Sequence, residues 1–229
     1  ASSKGQFKVS AVMYNKYVFK DDFSTYKNYI LDNKFPERYP LKDRDHKLYD
    51  TPDCIAKWAS ILMMFDQIKT NKMKVVDLGT GEGPLPHVIS DQGHDVIGVD
   101  NMRIHHPFKT SLVQMVLRDA IEFLNDIEDE SVDVFTDSCS VTHFDFGGRD
   151  NPGWKSVLSG VYQKLKPNGY FLIASDCHFL PERKKNGEFL LGEEIAATAK
   201  ECGFSLTPEF NDDKMEISHR NTGGVSDLA

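Results

Sequence analysis

The stretch VVDLGTGEG, residues 75–83, places three glycines at alternate positions directly after an apolar run. Glycine has no Cβ, so it adopts positive φ easily and lets another molecule approach the backbone. The overlapping run MKVVDL, residues 73–78, is short, apolar and β-branched, which predicts a buried strand. Residues 84–93 predict a short helix that ends at Gly93. The stretch therefore predicts a strand, a loop and a helix, and the loop is either a tight turn or a binding site.

Strands and helices alternate through the rest of the chain. The further predicted elements are strands at 94–100, within 111–119, at 131–137 and at 170–176, and helices at 120–127, 151–166 and 192–203. This alternation predicts an α/β fold, a Rossmann-like doubly wound sheet that is mostly parallel, with helices on both faces. Residues 204–210 and 214–220 predict a terminal antiparallel strand pair. Residues 71–229 are thus expected to form the core.

Residues 1–70 lack this alternation and predict two helices, one near Phe23 and a longer one from Thr51 onward. Between them lies a polar, aromatic and proline-containing segment. We interpret residues 1–70 as an N-terminal helical cap or lid that leads into the core. A simpler alternative is that the segment only covers one face of the sheet.

Composition narrows the function classes. The 229 residues are 40% hydrophobic, which suffices for one sizeable core, and no apolar run is long enough to span a membrane. The N-terminal residues do not resemble a signal peptide, and the four cysteines are widely spaced without a CxxC pair, which predicts a cytoplasmic protein. The net charge of −8 disfavours a nucleic-acid substrate. The oligomeric state is not indicated.

Two cofactor classes fit a glycine loop that is followed by an acid. Asp100 ends the second predicted strand of the core, 17 residues after Gly83 (100 − 83), where a carboxylate can accept hydrogen bonds from ribose hydroxyls. A dinucleotide-binding loop reads G-x-G-x-x-G, but the third glycine position holds Pro84 or Pro86 in the two registers. A nicotinamide-dependent oxidoreductase is therefore disfavoured.

The pattern D-x-G-x-G-x-G from Asp77 to Gly83 resembles the first motif of the class I S-adenosylmethionine-dependent methyltransferases. The resemblance covers residues 73 to about 219 in the same order, because RDA at 118–120, VDVFTDSCS at 132–140 and LKPNGYFLIAS at 165–175 resemble the family's later motifs. It implies S-adenosylmethionine as cofactor and S-adenosylhomocysteine as product.

The resemblance also implies which residues contact the cofactor. The loop would surround the methionine part, Asp100 would bind the ribose, and Asp119 with the nearby backbone would contact the adenine. The full implied set is Asp77, Gly79, Thr80, Gly81, Gly83, Asp100, Asn101, Asp119, Ala120 and Asp137.

The segment after residue 136 bears on the methyl acceptor. It lacks the Pro-Pro motif of relatives that methylate exocyclic amines, and SVTHFDFGGR, residues 140–149, resembles a stretch in methyltransferases of small molecules and polysaccharide-pathway sugars. A hydroxyl acceptor needs a base, and histidine, with an ordinary pKa of ~6.5, suits that role. We predict O-methylation of a small-molecule or sugar-like acceptor, with His143 as the base and Asp137 as its helper. The alternative that His143 only packs within its loop stays open.

Two other functions remain as alternatives. In catechol-type, metal-dependent methyltransferases, acids at the positions of Asp137 and Asp176 hold a divalent ion, with an Asn after the second. Here Cys177 takes the place of that Asn and His178 follows, so a divalent metal is not favoured and no metal ligand is assigned. The other alternative is a regulatory or partner subunit that binds the cofactor without transferring a methyl group.

Overall fold

The fold is an α/β sandwich built around one sheet. A computed structural model describes residues 12–14, 23–40, 52–102, 112–141, 144, 153–175 and 192–207. Its strands are β1 (Val12–Tyr14), β2 (Lys74–Leu78), β3 (Asp95–Asp100), β4 (Gln114–Leu117), β5 (Val132–Ser138), β6 (Leu165–Ala174) and β7 (Ser205–Thr207). Its helices are α1 (Phe23–Asp32), α2 (Phe35–Arg38), α3 (Pro52–Ile68), α4 (Leu85–Asp91), α5 (Ala120–Asp126), α6 (Gly153–Lys164) and α7 (Gly192–Cys202).

The strand order is β4-β3-β2-β5-β6-β1-β7, and every described pair of neighbours is parallel. From β2 the chain proceeds outward to β3 and β4, and it then returns to place β5 on the other side of β2. The order therefore reverses between β2 and β5. In open parallel sheets ligands bind beyond the carboxyl ends of the strands at such a reversal. The predicted Rossmann-like sheet is confirmed, and its topology directs attention to the ends of β2 and β5.

One strand comes from the segment for which the sequence predicts only helices. β1 pairs with β6 on one side and with β7 on the other. A strand of three residues is too short to show a period-two pattern, so the sequence does not predict it. β7 corresponds to the first member of the predicted antiparallel pair, and its described partner is β1. Residues 214–220, the second member, lie outside the described residues.

Helices cover both faces of the sheet, as predicted. Consecutive residues of β2 illustrate the division, because Val75 packs with α1, α3 and α4 whereas Val76 packs with α5, α6 and α7. Trp154, Val157 and Val161 form an apolar stripe along α6, which the sequence predicts as a helix, and they are buried. The helices of the N-terminal segment thus pack on one sheet face, and a lid role for that segment stays a prediction.

β6 begins before the predicted strand at 170–176 and includes residues 165–169. Five residue steps on β6, from Leu165 to Tyr170, stand opposite two steps on β5, from Val132 to Val134. Asn168 within this excess has φ 65°, a left-handed conformation that asparagine tolerates better than most residues. None of the helices in the described ranges combines the length and apolar character that a membrane span requires.

Candidate cofactor site

The glycine loop begins where β2 ends, and hydrogen bonds hold it against β3. Gly79 and Gly81 have φ of 62° and 56°, so both occupy the left-handed region that glycine adopts without strain. The backbone N–H groups of Gly79 and Thr80 donate to the carbonyl oxygen of Val99 at 2.8 and 3.2 Å. The predicted turn therefore exists, and its first two residues are bonded to the neighbouring strand.

The three glycines are needed for different reasons. A Cβ on Gly79 would overlap the Ser140 side chain, and a Cβ on Gly83 would lie 2.9 Å from Trp58 Nε1. Contacts within the protein therefore explain both of these glycines. A Cβ on Gly81 would have the Gly79 carbonyl oxygen, 3.9 Å away, as its nearest neighbour among the described residues. Gly81 is the loop position beside which open space remains for another molecule.

Asp100 stands beside this open position, at the carboxyl end of β3. Its Oδ2 accepts from the Gly81 N–H at 3.0 Å, and its Oδ1 accepts from the Met102 N–H at 2.8 Å. A carboxylate oxygen has two lone pairs, so each oxygen retains capacity for a second hydrogen bond. Asn101, which follows Asp100, is exposed. Asp100 is thus oriented by the loop that it accompanies in the sequence motif.

Asp77 lies beneath the loop, on β2, and is only 2% exposed. The Thr136 hydroxyl donates to its Oδ1 at 2.6 Å, and the Thr80 hydroxyl donates to its backbone carbonyl at 3.1 Å. Burial raises the pKa of Asp77 to about 7, and the nearby Asp137 carboxyl acts in the same direction. The hydrogen bond from Thr136 opposes this rise by favouring the carboxylate. A buried acid therefore titrates near neutral pH beneath the loop.

Asp137, near the carboxyl end of β5, is fully buried. Its Oδ1 accepts from the backbone N–H groups of Ser140 and Val141 at 2.8 and 3.2 Å, and its Oδ2 accepts from the Ser140 hydroxyl at 2.6 Å. Burial raises the pKa of Asp137 to about 6, while these hydrogen bonds act to lower it. Within the described residues, Asp137 therefore fixes the start of the segment after β5.

Asp119 and Ala120 lie at the same edge of the sheet, after β4. Asp119 is the N-cap of α5, because its Oδ1 accepts from the backbone N–H groups of Ile121 and Glu122 at 2.9 and 3.3 Å. The Arg118 N–H donates to the Asp100 carbonyl at 2.8 Å, which links this segment to the end of β3. The predicted cofactor residues on β2, β3, β4 and β5 are thus gathered at one sheet edge.

Helix α3 contributes residues that the sequence does not reveal as site residues. The Lys57 ammonium donates to Cys139 Sγ at 3.2 Å, and Trp58 packs against Gly83. Cys139 has φ 72°, which is uncommon for a residue with a Cβ. Lys57 and Cys139 are 82 residues apart, and no local pattern connects them. α3 therefore borders both the glycine loop and the segment after β5.

The residues predicted to act on the acceptor are only partly described. His143 lies outside the described residues, as do Asp176, Cys177 and His178 of the metal-dependent alternative. In the described ranges, no group of three or more His, Cys, Asp or Glu side chains is arranged to hold a metal ion.

Comparison with known proteins gives the family. The family model for a methyltransferase domain matches residues 69–214, which is more than half of the chain. The chain belongs to this methyltransferase family. It is an enzyme of the S-adenosylmethionine-dependent type, as the sequence resemblance predicted. No curated protein sequence matches the chain.

Solved structures that are similar to this chain include other methyltransferases. A SAM-dependent methyltransferase from Archaeoglobus fulgidus is 23% identical, with 64% of this chain and 67% of that chain covered and a TM-score of 0.52. A TehB-like SAM-dependent methyltransferase from Corynebacterium glutamicum is 17% identical, with coverages of 78% and 83% and a TM-score of 0.47. The 1,6-didemethyltoxoflavin-N1-methyltransferase from Burkholderia thailandensis is 16% identical, with coverages of 82% and 80% and a TM-score of 0.49.

The described residues fit S-adenosylmethionine in two respects. Among the described residues, a Cβ on Gly81 would meet only the Gly79 carbonyl oxygen, at 3.9 Å, so these residues leave room for a ligand to approach the backbone there. Next to it, Asp100 offers carboxylate oxygens with remaining acceptor capacity, as a ribose diol requires. Gly81 follows β2, which borders the reversal of strand order, and Asp100 ends the neighbouring strand β3; open parallel sheets bind ligands beyond these strand ends.

Proposed function

We propose that this methyltransferase methylates an oxygen atom of a small-molecule or carbohydrate-like acceptor, with His143 as the base. The observation that carries the proposal is the anchoring of the SVTHFDFGGR segment. Its first residue, Ser140, packs against Gly79 and bonds to Asp137. Its second, Val141, is buried. His143 follows Val141 by two positions in the sequence.

Within this proposal, the cofactor is held along the carboxyl edge of the sheet. Gly81 and its neighbours would receive the methionine part, Asp100 would accept hydrogen bonds from the ribose, and Asp119 with Ala120 would contact the adenine. When bound, the cofactor supplies a methyl group on a positively charged sulfur. The remaining residues of the implied set support the same site, namely Asp77, Gly79, Thr80, Gly83, Asn101 and Asp137.

The protein's contribution is to position the acceptor and to remove its proton. Cofactor-dependent transfer needs the acceptor oxygen aligned with the methyl group, so orientation is the main demand. An imidazole nitrogen of His143 would take the hydroxyl proton. Asp137 would help by fixing the start of the segment that carries His143, because both of its oxygens already accept hydrogen bonds from Ser140 and Val141.

The N-terminal segment, residues 1–70, is proposed to cap the site. α3 brings Lys57 to Cys139 and Trp58 to Gly83, which supports a boundary role for the segment. A cytoplasmic location belongs to the same proposal. It is supported by Cys54, Cys139 and Cys202, which are not disulfide-bonded.

Calorimetric titration tests the cofactor residues. Replacing Asp100 by Ala should weaken S-adenosylmethionine binding about 10- to 100-fold, because hydrogen bonds to a charged group contribute about 1.5–3 kcal/mol. The S-adenosylmethionine affinity of Asp100→Asn, which keeps one acceptor oxygen, should lie between those of wild type and Asp100→Ala. The control is Asp95→Asn at the exposed opposite end of the same strand. Unchanged affinity of Asp100→Ala would refute the ribose assignment.

Turnover with a panel of hydroxylated acceptors, followed by release of S-adenosylhomocysteine, tests the base. His143→Ala should lower kcat about 100-fold or more, in the usual range for a lost general base, with little change in cofactor affinity. An unaltered rate would dismiss His143 as the base. Adding EDTA tests the alternative, because activity that is lost and then restored by Mg²⁺ would replace the histidine mechanism by a metal-dependent one. Methylation of amines only would overturn the choice of oxygen.

A further inference from the structure

Three carboxyl groups lie at the carboxyl ends of β2, β3 and β5, near the glycine loop. They belong to Asp77 on β2, Asp100 on β3 and Asp137 on β5, and Leu78 of β2 stands directly beside Asp137 in the sheet register. Asp77 and Asp137 are at most 2% exposed. Asp137 and Asp100 both act on Asp77 so as to disfavour its negative charge. Asp77 and Asp137 are therefore buried acids near other carboxyl groups, whereas Asp100 is partly exposed.

The surrounding elements offer these acids little compensating positive charge. Among the described residues, neither Asp77 nor Asp137 forms an ion pair with a lysine or arginine. On α3, the Lys57 ammonium donates to the Cys139 thiol. On α4, His87 is buried as well. The donors to Asp77 and Asp137 are hydroxyl and backbone N–H groups, which are uncharged.

Buried like charges without a counter-ion are not all ionised at once. The free-energy cost of a second buried carboxylate falls if one of the carboxylates takes up a proton. It also falls if a cation binds nearby. The rise of the Asp77 pKa to about 7 agrees with a protonated Asp77 in the cofactor-free protein. A bound cation would favour the ionised Asp77, because opposite charge stabilises the carboxylate.

We propose that Asp77 is a specificity-determining residue, which holds a proton in the cofactor-free enzyme and releases it when the positively charged methyl donor binds. This inference rests on the proposed placement of the cofactor at the glycine loop. The donor carries one more positive charge than the product, since transfer converts a sulfonium into a neutral thioether. The product therefore stabilises the Asp77 carboxylate less, and the site distinguishes donor from product by charge.

The proton balance closes over one turnover. Donor binding sends the Asp77 proton to solvent. Methyl transfer to a hydroxyl forms a C–O bond, breaks the C–S⁺ bond and frees the hydroxyl proton. When the site returns to its product-bound or empty state, Asp77 takes up one proton again, so one proton per methyl group is released overall. Donor affinity should rise with pH, by at most tenfold per pH unit, until free Asp77 is itself ionised near pH 7.

Calorimetry of the full chain measures this proton directly. Donor is titrated at pH 6.5 in phosphate and in imidazole, whose ionisation enthalpies differ, and the difference in heat gives the number of protons released. Wild type is expected to release more than about half a proton on binding S-adenosylmethionine and clearly less on binding S-adenosylhomocysteine. Asp77→Asn should remove the difference between donor and product, because Asn keeps the size and the Thr136 contact without titrating.

Two further variants sharpen the result. Asp95→Asn makes the same chemical change at the opposite edge of the sheet and should release as many protons as wild type. Thr136→Val removes the donor that favours the Asp77 carboxylate, so the pH at which donor affinity levels off should rise. Asp77→Asn with wild-type proton release would overturn the inference. So would a wild-type donor affinity that varies with pH no more than the product affinity, a test that needs no variant to fold.

The outcomes also separate this inference from the proposed function. Donor binding without proton release overturns the role of Asp77 and leaves the cofactor site in place. Absence of donor binding to the wild-type chain overturns the proposed site and the role of Asp77 together.

Discussion

Strand β5 carries two aspartates four residues apart, and the protein surrounds them with different partners. Near the amino end, Asp133 accepts from the Lys166 ammonium and from the Lys74 backbone N–H, both at 2.8 Å. Near the carboxyl end, Asp137 is fully buried and its described donors are the uncharged groups of Ser140 and Val141. Asp133 thus has a counter-charge within the chain, whereas no described residue supplies one to Asp137.

The same contrast extends along both edges of the sheet. At the amino edge, ion pairs join Lys72 to Asp95 at 3.0 Å and Lys164 to Asp129 at 2.7 Å. At the carboxyl edge, Asp77 is buried next to Asp137 without such a partner among the described residues. These acids of the amino edge have lysine partners in the free protein. Within the described part of the chain, the buried acids of the carboxyl edge have no lysine or arginine partner, as we propose for a site that receives a positively charged ligand.

The largest expected effect at the carboxyl edge comes from Gly79→Ala. The new Cβ would overlap Ser140 and would impose a left-handed backbone on alanine. We expect a loss of about 2–4 kcal/mol of unfolding free energy and of donor binding, from overpacking and from backbone strain. Urea denaturation and calorimetric titration measure the two effects.

Gly93→Ala is the matched control for that substitution. Gly93 also has positive φ, at 95°, but a Cβ there would meet no described atom within 4 Å. It should cost about 1–2 kcal/mol from strain alone and leave donor binding intact. Equal losses in the two variants would show that the contact with Ser140 does not constrain the loop.

The next effect is a pH dependence of stability that belongs to the carboxyl edge. The folded-state pKa of Asp77, about 7, lies above its unfolded value of about 3.9. The contribution of protonated Asp77 to the free energy of unfolding is therefore fully present below pH ~4 and is lost as pH rises through about 7. Wild type should therefore lose stability between about pH 4 and pH 7, with little further change above that. Asp77→Asn should reduce that loss, by an amount on the order of 2 kcal/mol. Parallel pH profiles of the two proteins in urea denaturation would contradict this account.

The amino edge should respond to pH in the opposite direction, through His94. Its Nδ1 accepts from the Met73 N–H at 3.2 Å, and its ring packs edge-on against Phe65. Burial and then the charge of Lys69 lower its pKa, so the neutral ring is favoured. The neutral His94 ring therefore contributes to folding stability above pH ~6.5, the pKa of histidine in the unfolded chain. This contribution is lost as pH falls through the lower pKa of the folded state.

His94→Asn tests this prediction. Asparagine can place an acceptor near the position of Nδ1 but does not titrate. The variant should be less stable than wild type by about 1–2 kcal/mol at pH 8, because it loses contact with Phe65, and the difference should shrink by pH 5. If the stability difference between wild type and His94→Asn stays constant with pH, His94 is not the source of the pH dependence. Donor affinity should not change, because His94 lies at the edge opposite to the glycine loop.

The sequence predicts the carboxyl edge well where neighbours in sequence are neighbours in space. The apolar run before Gly79 and the acid at the end of the next strand locate the loop and Asp100, because strand and turn patterns are local. Contacts between distant positions gave no such signal. Ser140 explains Gly79 across 61 residues, Lys57 reaches Cys139 across 82, and β1 pairs through only three residues.

The three glycines of the loop also differ in function more than their regular spacing indicates. Their regular spacing indicates one shared purpose, yet Gly79 and Gly83 are needed for packing against Ser140 and Trp58, and Gly81 alone borders open space. Side-chain packing depends on tertiary neighbours, which a spacing pattern does not contain. The base His143 remains a prediction from its motif.

The smallest expected effect is at the exposed end of the amino edge. Lys72 and Asp95 are both about two-thirds exposed, so solvent screens their ion pair, and Asp95→Asn should change the unfolding free energy by less than about 0.5 kcal/mol. Asp133→Asn should cost more, about 1 kcal/mol, because Asp133 is less exposed and also accepts from the Lys74 N–H. Neither should alter proton release on donor binding. If Asp133→Asn altered that release as much as Asp77→Asn does, the two edges would be coupled, and the carboxyl edge could not be treated as a separate electrostatic unit.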